Sequence, residues 1–130
     1  MTKKKPALRL GDLQYRIMEV LWREGEATVG DVHGALSREY AYTTIATMLQ
    51  KMDVRGLVAR RMEGRRGIYK PLVQEGDARG SMIEDLVERV FHGNVEEMVE
   101  HLLEQRDVGK DELGLLARII AEHKKKQGGA

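Results

Sequence analysis

The sequence predicts a mainly α-helical protein with one small β-hairpin. Apolar residues recur every three or four positions over most of the 130-residue chain, which is the period of an amphipathic helix. Between residues 57 and 73 the period shortens to two, which is typical of strands. Glycines follow several of the apolar segments, as is common where a helix ends.

The first two helices are predicted from periodicity and from their end signals. Residues 10–23 form a broad apolar face that Gly25 terminates. A second, shorter helix is expected to begin at Ala27 or Thr28, because Thr28 and Asp31 have the spacing of a capping box. Two short helices joined by a few residues are the start of a helix-turn-helix motif.

The segment from Tyr40 to Gly56 predicts a third helix with two unlike faces. One face is apolar at helical spacing and consists of Ile45, Met48, Leu49 and Met52. The other sides carry short, mostly neutral hydrogen-bonding side chains, which let a helix lie close to base edges. The alternative is a half-buried helix of a small core.

Two strands are predicted after Gly56, at 57–62 and 67–73, with the turn Glu63-Gly64-Arg65-Arg66 between them. Adjacent cations at a turn repel each other, and a neighbouring phosphate would relieve that repulsion. Pro71 is expected at a sheet edge or at the end of its strand. Three helices followed by a basic hairpin predict a winged helix-turn-helix with a C-terminal helical dimerisation region.

Three amphipathic helices are predicted after residue 80, interrupted near residues 93–94 and 107–109. They are short and have little of their own to cover their apolar faces, so a two-fold-related second copy is expected to do so. The alternative is that they pack back on the winged helix. The expected dimerisation residues are Ile83, Leu86, Val87, Val90, Phe91, Val95, Met98, Val99, Leu102, Leu103, Leu116, Ile119 and Ile120.

The charge of the chain is unevenly distributed. Residues 1–73 contain 14 Lys/Arg and 8 Asp/Glu, a balance of +6, whereas residues 74–130 contain 8 and 13, a balance of −5. This asymmetry suggests that the first part meets a polyanion. We expect a basic disordered arm at 1–9, the winged helix-turn-helix at 10–74, the dimerisation domain at 75–126 and a tail at 127–130.

Residues suited to catalysis or metal binding are not grouped in this sequence. It has no cysteine, no glycine-rich phosphate loop and no serine in a nucleophile elbow, and its four histidines are scattered. We therefore expect no enzyme activity, no cofactor and no metal. No apolar run has the length of a signal peptide or a membrane span, so no membrane insertion and a cytoplasmic location are expected.

The predicted DNA-binding residues lie on the third helix and in the wing. Thr43, Thr44, Ala46, Thr47, Gln50 and Lys51 are expected to face bases or backbone, Arg65 and Arg66 to hold phosphates, and Tyr42 to anchor a phosphate. Packing of Tyr42 against the first helix is the alternative. Two recognition helices about 34–36 Å apart would require an operator with matching dyad symmetry.

The chain resembles the penicillinase-repressor family (BlaI/MecI), which also includes CopY-type copper repressors. The motifs that carry the resemblance are the first helix at 10–22, the recognition helix at 42–52, Gly56-Leu-Val, Gly64-Arg65, and Tyr69-Lys-Pro-Leu-Val73. Phe91-His-Gly-Asn94 and the helix near Asp111 fall where that family's dimerisation helices lie. The likeness spans about residues 10–120.

The resemblance implies a homodimer that binds a palindromic double-stranded DNA operator and represses neighbouring genes. In that family a regulatory protease relieves repression by cutting an Asn-Phe bond in the C-terminal helices, and the nearest equivalent here is His101-Leu102. The cysteine motif of the copper branch is absent. Two alternatives stay open: a winged-helix protein-interaction module, and a small-molecule-sensing regulator without that proteolytic control.

Overall fold

The computed structural model describes residues 10–128, so the expected basic arm at 1–9 lies outside the described residues. The elements that it shows confirm a mainly α-helical fold with a β wing. The helices are α1 (Asp12–Glu24), α2 (Val29–Ala35), α3 (Tyr42–Val54), α4 (Glu75–Phe91), α5 (Val95–Gln105) and α6 (Lys110–Gly128). The strands are β1 (Ala27–Thr28), β2 (Val58–Glu63) and β3 (Arg66–Pro71).

The chain divides into two compact units, and the division falls inside α4, between Leu86 and Val87. The sequence had suggested a boundary at residue 74. The difference arises because α4 begins at Glu75 and its first turns belong to the first unit, where Ala78 is fully buried. The polar segment 74–80, which could have been a linker or a helix start, is a helix start.

The core of the first unit is built from α1, α2, α3 and the sheet. Complete burial of an aliphatic side chain contributes about 1.5–3 kcal/mol to the free energy of unfolding, so this cluster dominates the stability of the unit. Its members are Ile17, Met18, Val20, Leu21, Ala27, Val32, Leu36, Ile45, Leu49, Met52, Leu57, Val58 and Tyr69.

The sheet has three antiparallel strands in the order β1-β3-β2. β1 pairs Ala27 with Tyr69 and Thr28 with Ile68, so β3 lies at the centre of the sheet. Pro71 is the last residue of β3 and pairs with Val58, which agrees with the end-of-strand alternative. The sequence did not predict β1, because a two-residue strand has no periodicity of its own.

The hairpin turn is tighter than expected. Glu63 pairs with Arg66, which leaves only Gly64 and Arg65 in the turn. Gly64 has φ 63°, a conformation that glycine adopts without strain. The prediction that Arg65 and Arg66 both lie in the turn is therefore wrong for Arg66, which is the first residue of β3.

The second unit contains the end of α4, then α5 and α6. Asn94 caps α5 by accepting a 2.9 Å hydrogen bond from the backbone N–H of Glu97. α6 continues through Gly128 and so occupies the first two positions of the expected tail at 127–130. No residue of α5 is buried, and neither is any described residue of α6.

Candidate nucleic-acid interface

The two faces predicted for α3 are present in the structure. Ile45, Leu49 and Met52 are completely buried, which fixes the rotation of the helix on the core. Ala46 is half-buried, whereas the polar side chains predicted to meet DNA are exposed: Thr43, Thr44, Thr47, Gln50 and Lys51. The exposed side of α3 therefore carries side chains that can form hydrogen bonds with a bound partner.

One exposed line of side chains along α3 extends beyond the residues predicted to meet DNA. Thr43, Thr47, Gln50 and Val54 are spaced i, i+4, i+7 and i+11, so they lie along one side of the helix. Val54 is 87% exposed and was not among the predicted residues. Its spacing from Thr43 was the signal that could have identified it.

Tyr42 lies at the first position of α3 and is 53% exposed. Its ring packs edge-on against His33 of α2, with centroids 5.7 Å apart and planes at 77°. This ring contact is thus with α2. The phenol hydroxyl of this half-exposed residue can both donate and accept a hydrogen bond.

The segment that leads into α3 is held by Arg16 of α1. The Arg16 guanidinium donates to Glu39 Oε2 at 2.7 Å and to the Tyr40 hydroxyl at 3.3 Å, and it lies 5.6 Å from the Tyr40 ring centroid. The bond from Arg16 lowers the pKa of the Glu39 carboxyl. These contacts fix the chain direction just before α3 begins.

The four arginines of the wing differ in their surroundings. Arg65 is exposed in the turn, and it has no ion pair with any other described residue. Arg66 lies opposite Glu63 in the hairpin. The pKa of Glu63 is lowered mainly by the hydrogen bond from Arg61, and the charge of Arg66 adds to this effect. The pKa of Asp31 is lowered mainly by hydrogen bonds from Thr28, and the charge of Arg66 again adds to the effect. Of these two adjacent cations, Arg65 is therefore the one better placed to meet an outside anion.

Arg61 contributes little net charge to the wing, because two carboxylates bind it. Its guanidinium donates to Glu26 at 2.8 Å and to Glu63 at 2.9 Å. The side chain of Arg60 lies across Gly67, so that a Cβ atom added at Gly67 would lie 3.3 Å from Arg60 Cδ. The wing is therefore less basic than its sequence suggests.

A shallow groove runs along one side of α3. It is lined by Gln14, Thr47, Gln50, Lys51, Val54 and Arg55. Sequence reasoning missed Gln14 and Arg55, because 41 positions separate them along the chain. Their contact depends on how α1 packs against α3.

The residues predicted to form a dimer fall into three groups. Val87 is buried, so it is not part of an exposed surface, and Phe91 and Met98 are half-buried. The Phe91 ring lies 5.5 Å from that of His101. The others are exposed: Ile83 and Leu86 in the first unit, and Val90, Val95, Val99, Leu102, Leu103, Leu116, Ile119 and Ile120 in the second.

Within residues 10–128, none of the helices combines the length and the apolar character that crossing a bilayer requires.

Comparison with known proteins agrees with this geometry. The family model for the penicillinase repressor matches residues 10–122. Transcriptional regulator BlaI of Mycobacterium tuberculosis is 36% identical over 118 residues, which cover 88% of this chain and 84% of that protein. The penicillinase repressor of Bacillus licheniformis is 28% identical over 127 residues, which cover 96% and 98%.

A solved structure matches the first part of the chain. The solution structure of the DNA binding domain of the repressor BlaI superposes with a TM-score of 0.50 and 28% identity, and the match covers 57% of this chain and 93% of that domain. The winged-helix fold predicted from the sequence is thereby confirmed. The chain belongs to the penicillinase repressor family, a family of DNA-binding transcriptional repressors.

Proposed function

We propose that this protein is a homodimeric transcriptional repressor that binds a palindromic operator, with α3 of each copy in the major groove of one half-site. The observation that carries this proposal is the two-faced α3. Its apolar side is completely buried at Ile45, Leu49 and Met52, while its exposed side carries threonine, glutamine and lysine. Such a surface suits base edges better than it suits an apolar protein partner.

In this proposal the exposed side chains have two different roles, contact with bases and contact with phosphates. Thr43, Thr47 and Gln50 lie on the exposed line of α3 that ends at Val54. Their hydroxyl and amide groups can hydrogen-bond base edges, and the threonine methyl can meet a thymine methyl. Arg65 at the wing tip would hold a phosphate and so fix the register without reading sequence. Arg66 has a smaller part, because Glu63 and Asp31 already draw on its charge.

The second unit supports the homodimer. α5 and α6 expose a series of branched apolar side chains, and Ile119 and Ile120 are 61% and 58% exposed. Exposed apolar faces of this kind mark interaction surfaces, and a two-fold axis lets one face cover its own copy. α5 also carries Glu96, Glu97, Glu100 and Glu104, whereas α6 ends in three lysines, so opposite charges are available at the rim.

Repression would be relieved by weakening this pairing. Two linked half-sites gain affinity from a high effective concentration, and separated copies lose it without any change at the DNA surface. A regulatory protease could act in this way at His101-Leu102, which lies inside α5. Cutting there would require local unfolding of the helix, because a bound substrate strand is extended.

Three measurements on the purified chain test the proposal. Genomic fragments retained by the protein should share an inverted repeat, and sedimentation should give twice the chain mass. Fluorescence anisotropy at several salt concentrations should then show operator binding that weakens steeply with salt. A monomer that ignores DNA at low ionic strength would refute the proposal and would favour a protein-interaction module.

A further inference from the structure

Gln14 joins three separate parts of the first unit through one side-chain amide. Its Oε1 accepts a hydrogen bond from the backbone N–H of Gly11 at 3.1 Å and another from the Arg55 guanidinium at 3.3 Å. Its Nε2 lies 3.4 Å from Met48 Sδ, within hydrogen-bonding distance of the sulfur. One residue near the start of α1 thus contacts both the middle and the end of α3.

The two contacts on α3 fall on the same side of that helix. A second line on α3 runs beside the exposed line that ends at Val54. It consists of residues spaced i, i+4, i+7 and i+11, which are Thr44, Met48, Lys51 and Arg55. Gln14 lies along this second line, where it helps to line the shallow groove beside Lys51 and Arg55. Two cations are therefore placed one turn apart on the flank of the recognition helix.

We propose that Arg55 is a further contact to the DNA backbone and that Gln14 is the positioning residue that holds its guanidinium on this flank. The inference rests on the proposed function, since a helix lying in a major groove has a sugar–phosphate strand along each flank. Arg55 and Lys51 would meet one strand, while Thr47 and Gln50 face the bases. Backbone contacts of this kind set the depth and angle of the helix.

The chemistry of Gln14 suits this role. An arginine side chain gives up rotamer entropy when a ligand immobilises it, and holding it beforehand reduces that loss. An amide oxygen accepts a hydrogen bond from a guanidinium and so can hold it in one direction, as Gln14 Oε1 does for Arg55 at 3.3 Å. A guanidinium has five N–H donors and can bond the Gln14 amide and a phosphate together.

The test compares the salt dependence of operator affinity for four proteins: the full-length wild type, Arg55→Ala, Gln14→Leu and the double variant. The slope of log K against log salt is negative, and its magnitude falls by about 0.9 for each phosphate that the protein no longer neutralises. Arg55→Ala, which is present in both copies of the dimer, should therefore reduce the magnitude of the slope by about two. Arg23→Ala is the charge-matched control at the opposite end of α1, and its slope should equal that of the wild type.

Gln14→Leu separates positioning from a purely structural role. If Gln14 acts through Arg55, its replacement weakens operator binding several-fold in the wild-type background and has no further effect beside Arg55→Ala. Equal losses in both backgrounds would show that Gln14 only stabilises the fold, and would overturn its assignment. Thermal unfolding of each variant confirms that the proteins compared are folded.

The outcomes also distinguish this inference from the proposed function. A wild type that binds DNA steeply with salt, together with an unchanged slope for Arg55→Ala, overturns the inference and leaves the repressor function standing. A wild type without salt-dependent DNA binding overturns both.

Discussion

The indole N–H of Trp22 donates a 2.8 Å hydrogen bond to the backbone carbonyl of Val73. This bond ties α1 to the chain that leaves the wing, and its partners are 51 positions apart. The same ring packs edge-on against Tyr15, with centroids 5.6 Å apart. Trp22 is therefore a structural residue of the first unit.

Trp22→Phe should lower the free energy of unfolding by about 2–3 kcal/mol, because a half-buried carbonyl loses its donor and the smaller ring gives up part of the packing against the core. Tyr15→Phe is the matched control. It also removes one polar group from an aromatic ring, but the bond that it loses, from Arg79 Nε at 3.1 Å, is exposed. Chemical denaturation measures both, and equal losses would contradict the special role of the Trp22 bond.

Thr47→Ala should reduce the preference for operator over random DNA. The loss of one hydrogen bond is expected to weaken operator binding by about 1 kcal/mol per half-site, or roughly 30-fold for a dimer. Alanine favours helix more than threonine does, so the variant should be no less stable. Thr47→Ser keeps the hydroxyl and removes the methyl, and comparison of the two in anisotropy titrations shows which group reads the base.

Arg65→Ala should weaken binding to operator and random DNA alike. The slope of log K against log salt should become less steep, by about 0.9 for each phosphate that the wing no longer neutralises. Arg61→Ala is the charge-matched control within the same hairpin. Because Glu26 and Glu63 already bind Arg61, its removal should leave the slope unchanged. A reversed order of the two effects would mean that the wing meets DNA with its strand and not with its tip.

Ile119→Glu should separate the copies, since a buried carboxylate at an apolar interface is strongly unfavourable. Sedimentation should show the monomer, and operator affinity should fall by roughly a hundredfold or more as the linkage between half-sites is lost. Gln127→Glu adds the same acid to the same helix outside the apolar series and should stay dimeric. A dimeric Ile119→Glu protein would place the interface elsewhere.

Asp31 should contribute to the acid sensitivity of the first unit. Hydrogen bonds from the backbone and hydroxyl of Thr28 lower the pKa of this carboxyl in the folded state, and the charge of Arg66 adds to the effect. A depressed folded-state pKa stabilises the protein above the unfolded-state pKa, and that stabilisation is lost as the pH falls through the folded value.

Asp31→Asn should therefore unfold at a lower temperature than the wild type near neutral pH, and the gap should close below about pH 4. Glu39 and Glu63, whose pKa values are also lowered, remain in both proteins, so the difference between the melting curves isolates Asp31. A gap that stays constant on acidification would contradict the assignment.

Most of the first unit could be predicted because its signals are local. The periodicity of residues 42–54, the glycine after α1 and the Thr28-Asp31 cap each lie within a few turns of chain, and each appears in the structure. The apolar faces of α5 and α6 were also readable from periodicity.

The features that sequence reasoning missed depend on distant partners. β1 consists of two residues and exists only because β3 passes beside it. Arg61 looked like part of a basic wing, yet Glu26, 35 positions away, binds it. The Gln14–Arg55 contact likewise requires the packing of α1 on α3. Such pairings are set by the fold, and no local pattern encodes them.

Thr28 belongs to two elements at once. Its backbone is paired with Ile68 at the edge of the sheet, and its hydroxyl accepts the 3.1 Å bond that starts α2. Swivelling of the hairpin would therefore pull on the first turn of α2, and the helices beyond it would have to follow. The hairpin turn and α3 would therefore keep a fixed relative orientation before DNA is bound. Little conformational entropy would then be lost when the protein binds an operator.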